Sequence, residues 1–243
     1  MIRVAAVGDL HMGTDGAGLL RPHLQDLSAH ADVLLLAGDL TRCGDPEEAS
    51  VLVDELAGVR VPIVAVLGNH DYHAGRVDEL RGVLTAAGVE VLEGEAVTLS
   101  VDGTTLGIAG VKGFGGGFAG ACGSDFGEPE MKMFIGHTRE VADRLEAALR
   151  RAQGAARIAL LHYSPVVETL QGERLEIYPF LGSYLLAEAI DSAGADLVLH
   201  GHAHHGHEKG ITPGGVHVRN VAQPVIQRAY RVYCLDKTDA TSL

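Results

Sequence analysis

The chain lacks tryptophan and has little of two other residue classes. Only three of its 243 residues are cysteines, and aromatic residues make up 5% of the composition. Cys43, Cys122 and Cys234 are odd in number and widely spaced, which argues against a disulfide framework and against a thiolate zinc site. We therefore expect a protein of the reducing cytoplasm. Its core must come from the Val, Leu, Ile and Ala within its 47% of apolar residues.

Basic residues are scarce as well. The chain carries 19 Lys and Arg against 32 Asp and Glu, so its net charge is −13. A protein that holds nucleic acid needs clustered Lys and Arg to neutralise phosphates. The composition therefore disfavours nucleic acid as a partner and makes a nuclease an unattractive alternative.

Long hydrophobic runs and linkers are missing. No stretch approaches the roughly 18 apolar residues of a membrane span, and the first apolar stretch, 2–7, is too short for a signal peptide. No Pro/Ser-rich segment divides the chain, and its length suits one layered α/β domain. We expect a single domain over residues 1–243 that does not span a membrane.

Strands and helices alternate in the first part of the chain. Apolar runs predict strands at 2–7, 33–36 and 61–67, and helical spacing predicts helices at 17–30, 47–57 and 76–87. This βαβαβα order indicates a parallel sheet with right-handed crossovers. Short strands follow from residue 89. Asp102-Gly103 is a strong hairpin signal between strands 96–101 and 104–111, so antiparallel pairing is expected to begin there.

The second half contains two long connections. Helices are predicted at 137–152 and 185–193, strands at 158–161 and 197–199, and a closing hairpin of 216–221 with 230–235 after Gly214-Gly215. The Gly-rich segment 112–126 has no periodicity, and we interpret it as a mobile flap beside the site, with functionless disorder as the alternative. The connection 164–182 is the other segment expected to shape access.

Polar side chains follow five of the predicted strands where each strand ends. They are Gly8-Asp9-Leu10-His11, Gly38-Asp39, Gly68-Asn69-His70-Asp71, His162 and Gly201-His202-Ala203-His204. The carboxyl ends of strands are where open α/β sheets bind ligands. Carboxylate, amide and imidazole groups suit Mn, Fe or Zn. The ordered set therefore predicts a metal site, although each piece alone is a weak signal.

This set, spanning residues 9–204, resembles the signature of the calcineurin-like metallophosphoesterases. The resemblance implies an α/β fold, a four-layer α/β/β/α sandwich with mixed sheets, and a two-metal centre between the sheets. It implies that Asp9, His11 and His204 bind one metal, that Asn69, His162 and His202 bind the other, and that Asp39 bridges them. The expected cofactors are two divalent or mixed-valence ions, Mn or Fe foremost, with Zn as a further possibility.

The resemblance also implies a reaction. Two ions about 3.5–4 Å apart can lower the pKa of a bridging water, orient it towards phosphorus and neutralise the phosphoryl oxygens. A phosphate ester would be hydrolysed by the resulting hydroxide, with His70 as acid or hydrogen-bond donor at the leaving-group oxygen. Asp71 is predicted to hold the other ring nitrogen of His70 and to favour its protonated form.

The substrate is expected to be a small phosphodiester. The form Gly68-Asn69-His70-Asp71, with the compact size, resembles small bacterial-type phosphodiesterases more than protein phosphatases. A phosphomonoesterase is the alternative within the same chemistry, and a metal-binding scaffold without turnover is the alternative from another class. The complete ligand set argues against the scaffold.

Overall fold

The computed structural model describes residues 1–101 and 103–235 as a series of strands and helices. The strands are β1 (Ile2–Val7), β2 (Val33–Ala37), β3 (Ile63–Val66), β4 (Val89–Val91), β5 (Glu95–Val101), β6 (Thr104–Val111), β7 (Gly117–Phe118), β8 (Ala121–Cys122), β9 (Ala156–Leu161), β10 (Leu197–His200), β11 (Lys209–Ile211), β12 (His217–Asn220) and β13 (Arg231–Leu235). The helices are α1 (Arg21–Leu24), α2 (Leu27–His30), α3 (Pro46–Leu56), α4 (Val77–Ala86), α5 (Pro129–Arg151), α6 (Tyr178–Leu181), α7 (Tyr184–Ala193) and α8 (Gln223–Ile226). Short 3-10 turns lie at His70–Tyr72, Glu168–Leu170 and Leu175–Ile177.

The strands form two large sheets and one small ribbon. The first sheet has the order β13-β1-β2-β3-β4, in which β1 to β4 are parallel and β13 is antiparallel. The second has the order β11-β12-β10-β9-β6-β5, with β12, β10, β9 and β6 parallel and the two edge strands antiparallel. Strands β7 and β8 form the separate ribbon. The mixed sheets are as predicted.

Alternate residues of each strand enter different layers of the core. Leu35 of β2 is fully buried between the sheets and packs in the same cluster as Ile108 and Leu160 of the second sheet. Its neighbours Leu34 and Leu36 instead pack in a cluster with α3 and α4. On the far side, α5 and α7 cover the second sheet. Because side chains alternate across a strand, both faces of each sheet are buried, and the predicted four-layer sandwich is confirmed.

Helix boundaries follow local caps, with two differences from prediction. Asp45 caps α3 by accepting a hydrogen bond from the Glu47 amide, with Pro46 in the first turn, as expected. The predicted helix 17–30 is instead broken into α1 and α2. Glu55 accepts hydrogen bonds from the amides of Gly18, Leu20 and Arg21, which holds residues 17–20 outside a helix. Helix α5 begins at Pro129, well before the predicted start at residue 137.

The predicted closing hairpin is wrong. Strand β12 pairs with β10 and β11 in the second sheet, whereas β13 pairs with β1 in the first. The Gly214-Gly215 turn joins β12 to the strand before it, β11, which the sequence reading missed. The chain then crosses between the sheets through α8, and β13 closes the edge of the first sheet.

The hairpin predicted at Asp102-Gly103 agrees with the strand pairing on either side of it. Strands β5 and β6 pair antiparallel up to Val101 opposite Thr104, as expected, while Asp102 itself lies outside the described residues.

The Gly-rich segment 112–126 carries the β7-β8 ribbon and donates hydrogen bonds from Gly116 and Gly117 to the carbonyls of Pro179 and Gly182. The two segments expected to shape access, 112–126 and 164–182, are therefore joined by hydrogen bonds.

Among the described helices, none combines the length and apolar character needed to cross a membrane. The single domain stays a prediction.

Candidate metal centre

Loops after five parallel strands bring the predicted ligands together. Strands β1, β2 and β3 of the first sheet lead to Asp9, His11, Asp39 and Asn69, and β9 and β10 of the second sheet lead to His162, His202 and His204. The carboxyl ends of these strands meet at one edge of the sandwich. Both sheets therefore contribute to the same site.

Asp9, His11 and His204 form the first group. Nε2 of His204 lies 2.9 Å from Oδ1 of Asp9, and the Nε2 atoms of His204 and His11 are 3.4 Å apart. One ligand atom from each residue lies within 4.8 Å of the others, so the three could hold one ion. The Asp9 carboxylate also accepts a hydrogen bond from the amide of His202, which fixes its position.

Asp39, His162 and His202 form the second group, with Asn69 beside it. Nε2 of His162 lies 3.0 Å from Oδ1 of Asn69 and 3.3 Å from Oδ1 of Asp39. Nδ1 of His162 is 2.9 Å from the carbonyl oxygen of Ala37 and must donate to it, because a carbonyl oxygen only accepts. This backbone contact orients the ring so that Nε2 points at these two oxygens, as a supporting group does around a metal ligand.

The carboxylate of Asp39 lies between the two groups. Its Oδ1 faces His162, whereas its Oδ2 is 3.9 Å from Nε2 of His11 and 3.9 Å from Nε2 of His70. Oδ1 also accepts a hydrogen bond of 2.8 Å from the amide of His70. A carboxylate with one oxygen on each side is suited to bridging two ions.

The charges at the site show how strongly a cation would be attracted. Burial disfavours the charged ring of His162, but the Asp39 carboxylate outweighs burial and raises the pKa of His162 to about 9. Burial alone would raise the pKa of Asp39, yet the same contact holds it well below its usual range. Burial lowers the pKa of His202 to about 3, so this ring is neutral and available as a ligand. The hydrogen bond that the His204 ring donates to the Asp9 carboxylate raises the pKa of His204.

Several of these residues adopt a backbone conformation that L-amino acids rarely take. Asp9, His11, Asp39 and His202 have φ angles of 57°, 44°, 49° and 70°. Within the part of the chain that the structure describes, Gln227 is the one other non-glycine residue with positive φ. Such left-handed residues cost of order 1–3 kcal/mol each and cluster at functional sites. The surrounding fold holds this strain at four of the predicted ligands.

The absence of a side chain at Gly68 leaves room for the Asp39 carboxylate. A Cβ built on Gly68 would overlap the Asp39 carboxylate, and one built on Gly201 would overlap the carboxylate of Asp9. Any side chain at these positions must displace a predicted ligand. The glycines that punctuate the strands are therefore part of the site's geometry.

His70 lies at the open rim of the centre. Its ring stacks edge-on against that of His11 with centroids 4.5 Å apart, and its side chain is 44% exposed. Nδ1 lies 2.7 Å from the carbonyl oxygen of Arg42 and donates to it, which leaves Nε2 directed towards Asp39. His70 also groups with His11 and Asp39 at ligand distance, so geometry alone does not separate a ligand from an acid at this position.

The predicted role of Asp71 is wrong. Its carboxylate does not hold the His70 ring, whose Nδ1 is engaged by the Arg42 carbonyl. Asp71 is fully buried and accepts hydrogen bonds from the amides of Gly68, Leu40 and Thr41 and from the Thr41 hydroxyl. The 3-10 turn at residues 70–72 directs the two adjacent side chains to different sides. Asp71 therefore ties the loops after β2 and β3 together and positions the residues around it.

Two residues near the centre carried no functional signal in the sequence. Tyr163 follows His162, and its ring lies 4.3 Å from that of His202. Lys112 directly follows β6, and its carbonyl accepts hydrogen bonds from the amides of His162 and Tyr163. His200, by contrast, is fully buried below the site, with Nε2 2.9 Å from the Thr169 hydroxyl.

The donor set fits a pair of transition-metal ions. It comprises oxygen atoms from Asp9, Asp39 and Asn69 and nitrogen atoms from four histidines. Mixed oxygen and imidazole donors accept Mn, Fe or Zn, and a thiolate is not among them. Oxygen and nitrogen donors from both sheets surround Asp39, and a cation there would compensate the buried negative charge of its carboxylate.

Metal loading should release protons. Because the pKa of His162 is raised to about 9 in the metal-free protein, its ring is protonated at pH 7 and must lose that proton to bind an ion. We expect Mn²⁺ titrations at pH 7, run calorimetrically in buffers of different ionisation enthalpy, to show net proton release. Apparent affinity should rise with pH up to about 9, and release should fade well above it. Buffer-independent heats at pH 7 would contradict this account.

Gly68→Ala should impair the centre specifically. The added methyl group overlaps the Asp39 carboxylate and should cost about 1–3 kcal/mol of stability while lowering metal per chain. Gly82→Ala is the matched control, since a Cβ there meets open space on helix α4. Thermal unfolding and metal analysis of both variants check the expectation. Full metal content in Gly68→Ala would show that Asp39 tolerates displacement.

Comparison with known proteins gives short sequence matches, and it gives matches to solved structures along almost the whole fold. The chain is 37% identical over 90 residues to the uncharacterized protein YpbG of Bacillus subtilis, covering 36% of this chain and 34% of that protein. It is 36% identical over 58 residues to the glycerophosphodiester phosphodiesterase GpdQ of Enterobacter lignolyticus, covering 24% of this chain and 21% of that protein. The chain thus spans about a third and a fifth of the lengths of these relatives.

A solved structure agrees along the fold. Phosphopantetheinyl hydrolase (PptH) from Mycobacterium tuberculosis superimposes with a TM-score of 0.67 over 98% of both chains, at 17% identity, a likeness that shows the fold. The family described as calcineurin-like phosphoesterase matches residues 2–206. This range contains every side chain of the candidate centre. The chain belongs to the calcineurin-like phosphoesterase family.

Proposed function

We propose that this protein is a binuclear metal-dependent phosphodiesterase that acts on a small phosphate ester. The observation that carries the proposal is the shared position of Asp39, whose two oxygens face different groups of candidate ligands. One group is Asp9, His11 and His204. The other is Asn69, His162 and His202. A site for a single ion would need no carboxylate between two sets of imidazoles.

The ligand assignment defines what each part of the chain does. When bound, the two ions supply acidified water and positive charge for the phosphoryl oxygens. Asp39 holds the two subsites together, and Asn69 contributes a neutral oxygen that limits the negative charge on the pair. The Ala37 carbonyl keeps the His162 ring in one tautomer. The protein needs no nucleophile of its own.

His70 is proposed to assist the leaving group. Its exposed ring lies at the rim, where an ester oxygen can approach, and the Arg42 carbonyl fixes the ring by accepting from Nδ1. Nε2 is then the nitrogen that faces the site. In the imidazolium form it carries a proton to donate to the departing oxygen. Asp71 supports this arrangement only indirectly, by holding the loop that carries His70.

Two observations favour a small diester. The partial relative GpdQ is a glycerophosphodiester phosphodiesterase, and this chain belongs to the calcineurin-like phosphoesterase family. The joined segments 112–126 and 164–182 border the site beside His162 and His202, which suits a compact substrate better than a macromolecule.

Cys43, Cys122 and Cys234 are all exposed and unpaired, in keeping with the proposed cytoplasmic setting.

Turnover of chromogenic esters tests the reaction. After reconstitution with Mn²⁺ we expect bis(p-nitrophenyl) phosphate to be hydrolysed faster than p-nitrophenyl phosphate, and metal-free protein to hydrolyse neither. The diester is a monoanion with two non-bridging oxygens to accommodate, whereas the monoester is a dianion with three and carries more charge to desolvate. Faster monoester turnover would identify a phosphomonoesterase instead. Bound metal with no turnover of either ester would favour the scaffold.

The His70→Ala variant should show whether His70 acts as a general acid or as a metal ligand. We expect the variant to keep both metals yet to lose about 10²–10⁴-fold in kcat on an alkyl ester, whose leaving group needs a proton. The loss on a nitrophenyl ester should be much smaller, because nitrophenolate leaves unaided. His30→Ala, at an exposed end of α2, is the control. Loss of metal from His70→Ala would make His70 a ligand, and equal losses on both esters would exclude the acid role.

A further inference from the structure

A cation surrounded by aromatic rings lies beside the candidate metal centre. The ammonium of Lys112 is 5.3 Å from the ring centroid of Tyr72, 5.1 Å from that of Phe114 and 5.2 Å from that of Tyr163. We call these four residues the Lys112 cage. Ammonium groups at such distances are attracted to aromatic faces. Three rings from three separate segments therefore hold one positive charge in place.

The Lys112 cage is built from the loops that carry the candidate ligands. Tyr72 belongs to the 3-10 turn that begins at His70, and Tyr163 directly follows His162. The ring of Tyr163 packs against that of His202 at 4.3 Å and against that of His162 at 5.5 Å. The cage therefore adjoins the side of the centre formed by His162 and His202, and the Tyr163 ring separates the ammonium from His202.

The positive charge of Lys112 is only partly balanced, by the nearby Glu93 carboxylate. Its Nζ donates a hydrogen bond of 3.1 Å to the carbonyl of Gly113, and within residues 1–101 and 103–235 no acidic side chain lies at ion-pair distance from it. Glu93 is the nearby acid, but its oxygens accept from the Lys112 amide and the Tyr72 hydroxyl and pair with Arg144. Burial lowers the pKa of the Lys112 ammonium, in keeping with an incompletely compensated charge.

This arrangement is unexpected in a protein of net charge −13. A lysine that served only as a surface charge would extend into water, where its rotamers are free. Instead Lys112 is partly buried and keeps donors available next to the site. Glu93 holds both the Lys112 backbone and Tyr72, which braces the cage on that side, and Lys112 itself remains partly exposed.

We propose that the Lys112 cage binds a second anionic group of the substrate, a carboxylate or phosphate linked to the scissile phosphate by a short chain. The proposal rests on the phosphodiesterase function above and names the substrate class for it. The scissile phosphate itself belongs at the ligands, on the other side of the Tyr163 ring. The ammonium is therefore reached by a group farther along the substrate.

A matched series of diesters tests this inference on the full-length, Mn²⁺-loaded protein. Each substrate is a p-nitrophenyl phosphate whose second ester is an alkyl chain of increasing length, ending either in a carboxylate or in the neutral carbamoyl group of the same shape. The leaving group is constant. At one or more lengths we expect kcat/KM to favour the carboxylate by about tenfold, the size of one charge-assisted hydrogen bond. The preference should lie mainly in KM.

Lys112→Met should abolish the preference. The ratio of the two kcat/KM values should fall towards one in this variant, while Lys132→Met, on the exposed start of α5, keeps the wild-type ratio. Lys112→Gln, which retains a donor for the Gly113 carbonyl, serves if the methionine variant is poorly folded. Equal values for carboxylate and carbamoyl esters in the wild type would overturn the proposal, as would a preference that survives in both Lys112 variants.

Failure of the proposed function gives a different result. If no diester is hydrolysed, calorimetric binding of carboxyalkyl phosphonates and their carbamoyl counterparts to the Mn²⁺-loaded protein still reports on the cage. Tighter binding of the carboxylate that is lost in Lys112→Met supports the cage without turnover. Equal binding of both compounds overturns it.

Discussion

The carboxylate of Asp39 is buried among imidazoles that come from both sheets. Its oxygens face His162 on one side and His11 and His70 on the other. A buried carboxylate must be compensated by positive charge, and with no ion present the neighbouring His162 holds a proton for that purpose. Gly68 leaves room for the carboxylate by having no side chain of its own. The geometry of the surrounding loops is understandable as the means of holding this one group in place.

Much of the fold and most of the site could be predicted because they depend on local rules. A continuous apolar run such as 33–37 is typical of a strand buried on both faces, and the Gly38-Asp39 pair marks its end. Parallel strands share one direction, so side chains placed after several of them must meet at one edge. The same reasoning applies to His162 after β9. Resemblance to a family then supplied how the ligands divide between two subsites, which spacing alone does not provide.

The errors arose where the answer depends on contacts between distant segments. Asp71 adjoins His70 in sequence, but the turn between them directs its carboxylate into hydrogen bonds with the loop after β2. Strand β13 pairs with β1 at the opposite end of the chain, a long-range choice that a neighbouring turn signal cannot reveal. Lys112 had no motif, because its surroundings come from three loops that only the folded chain brings together.

Each proposed subsite draws on both sheets, and this has a consequence during synthesis. Asp9 and His11 are made before their partner His204, which lies 195 residues after Asp9. The early half of the protein can form much of its parallel sheet before any complete ligand set exists. A nascent chain that has not yet made β9 therefore holds an incomplete ligand set for each proposed subsite. The full set of donors exists only once the second sheet has formed.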